Sequence, residues 1–156
     1  MKPILIGGLA ALLTCVSVAS LAAGISAEDQ IKYRKANFNV AAWNMGKIKE
    51  QVIDKSVAYD QAQVQAAANA IAAVSHSGLG SLFGPGTDKA VGDQKTRAKP
   101  ELFQNIPEVA RLSQNFAKAA DGLVAQAATG DQAAIRTAFG EVGDTCKACH
   151  TKFRAK

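Results

Sequence analysis

The pentapeptide Cys146-Lys147-Ala148-Cys149-His150 decides how the rest of this 156-residue chain is read. Cys-x-x-Cys-His is the attachment sequence of a c-type haem, in which two thiols bond the porphyrin vinyls and the imidazole ligates the iron. On a helix, residues three and four apart share a face, so Cys146, Cys149 and His150 converge on one macrocycle. A disulfide or thioredoxin-like redox pair is the competing reading. That chemistry is expected beside a βαβ pattern, and this sequence shows no strand-like alternation.

Working upstream, Asp131 caps a helix that carries Ile135, Phe139, Val142, Cys146 and Phe153 on or near one face. Before it, Pro107 opens a helix whose stripe runs Val109, Leu112, Phe116, Ala119, Leu123 and Ala127, with Thr129-Gly130 as its stop. The Gly130-Asp131 junction is too short for a crossover, so these two helices form an antiparallel pair. Asp60 caps another helix, striped by Val64, Ala67, Ile71 and Val74 and ending near His76. The first helix begins at Ser26, follows Ile31, Phe38, Ala41, Met45, Ile48 and Val52, and ends near Ser56. Arg34 falls in that stripe. Its guanidinium either snorkels outward or meets an anion, for which a haem propionate is available.

Between Gly78 and Ile106 the sequence is loop-like, broken by Gly84-Pro85-Gly86 and Lys99-Pro100, with Phe83 expected on the core or a cofactor edge. A loop of this length in a compact domain is usually functional or packed by its own side chains. The pattern as a whole reads as all-α: an antiparallel up-down-up-down four-helix bundle with one haem in the core near one end.

Residues 1–27 have the layout of a cleaved export signal: Lys2, an apolar run from Ile4 to Leu13, then small residues. The run is too short to span a bilayer, which needs about 20 apolar residues. Cleavage after Ala22, Gly24 or Ala27 fits, and Thr14 before Cys15 makes a poor lipoprotein site. Residues 28–156 are then one periplasmic domain, with no membrane attachment after processing. Setting Lys2 aside leaves 17 basic against 13 acidic side chains, a balance of +4. The cations read as scattered over helix faces and loops, a solvated surface with no nucleic-acid partner.

These features resemble the cytochromes c′, whose Cys-x-x-Cys-His lies close to the C-terminus. The agreeing strings are Lys32-Tyr33-Arg34, Phe83-Gly84-Pro85-Gly86-Thr87, Ala138-Phe139-Gly140-Glu141-Val142-Gly143 ahead of the haem motif, and Arg154. The resemblance implies one covalently attached haem c per chain, with His150 as proximal iron ligand and Arg154 on the proximal side. It implies that Arg34 approaches a propionate and that Phe38 covers the distal face. Low-spin relatives carry methionine where this chain has Phe38. Phenylalanine offers iron no donor atom, so a five-coordinate iron binding nitric oxide and carbon monoxide is expected, with no catalytic residues. The family's commoner lid is aliphatic, and the bulkier ring bears on gas affinity. A six-coordinate electron carrier, with Met45 or His76 as sixth ligand and an unidentified redox partner, is the alternative. The resemblance further implies a homodimer through the first two helices, with the Ala66–Ala70 stretch allowing close approach.

Overall fold

A computed structural model describes residues 24–156; the expected export signal lies almost wholly outside them. Helix α1 (Ala27–Ile48) starts where Ser26 Oγ accepts the Asp29 amide at 3.1 Å. It passes directly into a π-helical turn, Lys49–Ile53, so the helical run ends three residues short of the expected stop, with Lys55 left-handed at φ 53° just beyond. Helix α2 (Gln61–Ser75) is capped by Asp60 and stops at His76, with Gly78 left-handed behind it. The long connection holds a single 3-10 turn, Leu79–Leu82, and a one-turn helix, α3 (Glu101–Gln104). Helix α4 (Ile106–Thr129) carries Pro107 in its first turn and ends at Gly130, whose φ of 74° suits glycine. Asp131 Oδ1 accepts the Ala133 and Ala134 amides and starts α5 (Gln132–Phe153).

The four long helices pack in the order α1, α2, α4, α5. Gln61 Nε2 donates to the Ala128 carbonyl at 3.1 Å, setting the start of α2 against the end of α4. Arg136 Nη2 donates to the Val52 carbonyl at 2.7 Å and ties the start of α5 to the end of the α1 run. Each neighbouring pair is therefore antiparallel, as the apolar stripes require, in an up-down-up-down bundle.

The main core joins Ile48, Val52, Val64, Ile71, Leu123, Ile135 and Val142, all fully buried. Each such side chain contributes about 1.5–3 kcal/mol relative to exposure. At the opposite end of the bundle the core parts in two. One cluster, Ala41, Val74, Leu79 and Leu82, belongs to α1, α2 and the 3-10 turn. The other, Leu102, Leu112 and Phe153, belongs to α3, α4 and α5.

Candidate haem site

The parted end of the core holds the haem motif. Buried Ile135, Ala138, Val142 and Phe153 fix the rotation of α5 about its axis, which sets Cys146 and Cys149 half-buried on its inner edge. Cys146 packs on the main core and Cys149 on the Leu102/Leu112/Phe153 cluster, so each thiol flanks apolar surface. About four turns back along α1 from Val52 stands Phe38, and about four turns forward along α5 from Arg136 stands His150. The rings of Phe38 and His150 stand edge to face, with centroids 6.5 Å apart. Both are solvent-accessible, Phe38 at 37%. Burial first, and then the nearby Arg97 charge, lowers the His150 pKa, which favours the neutral ring that ligates metals. Burial raises both thiol pKa values, with Cys146 adding to the effect on Cys149. A reactive redox pair needs the opposite shift and commonly sits at a helix N-terminus; these thiols lie in the last turns of a long helix.

Arg34 is buried, and its surroundings were not legible in the sequence. Nη1 donates to the Leu82 carbonyl and to Thr87 Oγ1, both at 3.0 Å, while Nη2 donates to the Thr87 carbonyl at 2.9 Å and to Thr96 Oγ1 at 2.8 Å. The guanidinium also lies 4.5 Å from the centroid of the Phe83 ring. Those four acceptors are neutral, so the charge is buried without a counter-anion among the described residues, and burial lowers its pKa.

The Phe83–Thr87 string now has a physical account. Phe83 is the platform for the guanidinium, and Thr87 supplies two of its acceptors. Gly84 donates its amide to Gln30 Oε1 at 2.8 Å, an approach so close that a Cβ there would run into the end of the Gln30 side chain. Gly86 takes a φ of 81°, which closes the turn. The loop is therefore laced to the first half of α1, the helix that carries Phe38.

Arg154 follows the haem motif but leaves the helix. Its backbone is extended, at φ −115° and ψ 127°, and bridges Ala98 in antiparallel fashion, with the side chain exposed. That bridge carries Arg97 to His150, a residue no motif had singled out. Neither alternative sixth ligand joins the site. His76 Nε2 pairs with Asp121 Oδ1 at 2.9 Å on the exposed surface between α2 and α4, and Met45 packs on the main core.

The site residues fit a c-type haem: two thiols and an imidazole on one helix face, apolar clusters against both thiols, and a buried cation lacking an anion among the described residues. The family profile described as Cytochrome C' matches residues 29–154. A cytochrome c′ of Allochromatium vinosum is 50% identical over the whole of both chains, and one of Rhodocyclus tenuis is 43% identical over 83% of this chain and 96% of its own. Among solved structures, a cytochrome c′ described as having ligand-controlled dimer dissociation superposes with a TM-score of 0.82 at 54% identity, covering 86% of this chain and all of its own. A ferrous variant from Alcaligenes xylosoxidans with nitric oxide bound gives 0.73 at 32% identity, covering 85% of this chain and 98% of its own.

Proposed function

Because this chain belongs to the cytochrome c′ family, we propose that it is an exported, non-enzymatic haem protein that binds nitric oxide and carbon monoxide at a five-coordinate iron. Cys146 and Cys149 would hold the haem by thioether bonds and His150 would ligate it. A c-type haem supplies an iron that exchanges one electron and takes a small ligand on its free axial side.

The observation that carries the reading is the Phe38 ring standing edge to face with His150. A hydrocarbon ring cannot ligate iron, and it offers no hydrogen bond to a polarised ligand such as bound oxygen. Small uncharged diatomics enter by displacing it. His76 and Met45 are both engaged elsewhere, which supports an open sixth position. Two relatives of this fold, both variants from Alcaligenes xylosoxidans, carry carbon monoxide and nitric oxide. Arg34, with one guanidinium N–H left after its four loop bonds, supplies the positive field toward a propionate. Arg154 and Arg97 flank the proximal side.

The residue 1–27 layout supports periplasmic delivery, and none of the described helices is long and apolar enough to cross a membrane. Homodimers form through α1 and α2 in this reading. Of the Ala66–Ala70 stretch, Ala67 and Ala68 are buried in the chain's own core, while Ala66 is exposed and Ala70 half-buried on the outer side of α2. The exposed face of α1 supplies the larger side chains of the contact, with Tyr33, Val40 and Trp43 in helical register.

Carbon monoxide binding to the ferrous protein tests the lid. Phe38→Ala raises the association rate by about tenfold, a barrier change of about 1.4 kcal/mol, and tightens affinity. Unchanged kinetics, or a resting ferrous spectrum with the sharp α-band of a six-coordinate iron, would sink the reading.

A further inference from the structure

The side-chain charges of residues 24–156 are gathered rather than scattered. Arg97 and Lys99 come from the loop, Arg111 from α4, and Lys147, Lys152, Arg154 and Lys156 from the end of the chain. The fold draws them together. The Ala155 amide donates to the Arg97 carbonyl at 2.8 Å, the Lys99 amide to the Phe153 carbonyl at 2.9 Å, and Lys99 Nζ to the Lys152 carbonyl at 3.2 Å. Arg111, Lys147 and Lys152 line one groove between α4 and α5 with Asp144, while Arg97 reaches His150.

Seven cations thus stand against Glu101, Glu108 and Asp144, a surplus of four, whereas the other ten basic and ten acidic side chains of the described residues cancel. Glu108 is already committed. Its carboxyl is held down to about 2, by Arg111 first and then Lys152. Arg97, Lys147, Arg154 and Lys156 are exposed, with no carboxylate at ion-pair distance among the described residues. The net side-chain charge of the domain therefore surrounds the haem motif, and two propionates would cancel only half of it.

We propose that this face docks an acidic redox protein that exchanges electrons with the haem, an inference that rests on the haem reading above. One electron passes from the partner's reduced centre to ferric iron; the partner is oxidised by one electron as the iron is reduced, and no bond or proton moves. Grouped like charges draw an oppositely charged surface and speed its encounter. Nucleic acid fits less well, because, of the exposed rings, Tyr33 and Trp43 lie on the outer face of α1 and Phe38 is engaged edge to face with His150, which leaves no row of free rings among the cations for bases to stack on. A lipid surface fits less well too, because surface-lying helices need a continuous apolar face, whereas the exposed large apolar side chains near these cations, Phe38 against His150 and Ile106 at the start of α4, belong to different helices.

The test follows reduction of the ferric holoprotein by stopped flow, with an acidic flavodoxin hydroquinone or cationic hexaammineruthenium(II) as donor. Raising ionic strength from about 10 to about 150 mM shortens the screening length from about 30 to about 8 Å. The flavodoxin rate falls about tenfold or more over that range, and the ruthenium rate rises. Lys147→Glu/Lys156→Glu removes the flavodoxin advantage, while Lys49→Glu/Lys55→Glu, the same charge change at the far end of α1, leaves most of it. Equal effects of the two double variants would overturn the inference, as would Lys147-dependent binding to phosphatidylglycerol vesicles with flavodoxin rates unmoved. Salt-insensitive rates in a protein with a normal Soret band overturn the docking face alone; a protein with no Soret band overturns the haem reading itself.

Discussion

Arg34 concentrates several jobs in one side chain. A guanidinium presents paired N–H groups in a fixed plane, which is how it bonds four oxygens from Leu82, Thr87 and Thr96 while lying on the Phe83 ring. A lysine ammonium has three donors, all at one point. Arg34→Lys is therefore expected to destabilise the holoprotein by about 1–3 kcal/mol, and Arg34→Gln by about 3 kcal/mol or more, since both leave loop acceptors short of donors. Urea unfolding followed at the Soret band measures this. Losses under about 0.5 kcal/mol for both variants, the range of ordinary surface changes, would show that the loop does not depend on the clamp.

At the level of elements, α1 is the part most exposed to processing. Ser26 caps it, the Gln30 amide donates to the Ser26 carbonyl at 2.8 Å, and Gln30 Nε2 reaches the Ile25 carbonyl at 2.9 Å. Cleavage after Ala27 would delete this start, at a cost of about 1 kcal/mol for the cap alone. Cleavage after Ala22 or Gly24 keeps it. Intact mass and N-terminal sequencing of the exported protein should find Ser26 retained; a chain beginning at Glu28 contradicts the expectation. The other end of α1 has its own device. The π-helical turn Lys49–Ile53 leaves the Val52 carbonyl to be capped by Arg136 of α5, which sets the antiparallel register that brings Phe38 opposite His150.

For the whole molecule, the exposed face of α1 is the surface without a partner in one copy of the chain. Trp43 is 64% exposed, in register with Tyr33 and Val40, and its ring carries Lys47 Nζ at 3.5 Å. Aromatic anchors dominate association energies where they are buried by a partner, and a two-fold dimer would set this face against its own copy. Trp43→Glu is expected to shift the protein from dimer to monomer in sedimentation equilibrium at micromolar concentration, with the Soret spectrum unchanged. A dimer that survives the substitution places the interface elsewhere. The periodicity of this face was present in the sequence, but three apolar side chains on a helix look alike whether a core or a second copy covers them.

What the sequence alone determined is everything settled within a turn or two of backbone: the caps at Ser26, Asp60 and Asp131, the stop at Gly130, the apolar stripes, the spacing of Cys146, Cys149 and His150, and the absence of a donor atom at Phe38. These follow from the 3.6-residue repeat and from local hydrogen bonding, so nearby residues carry them. What only the tertiary structure decided depends on segments far apart in the chain: the four loop oxygens on Arg34, Arg97 beside His150, the turning of Ala67 and Ala68 into the core, and the gathering of cations around the haem motif. Periodicity says which face of a helix is apolar. It does not say which distant segment will meet that face, because pairing is fixed by the joint packing of all four helices.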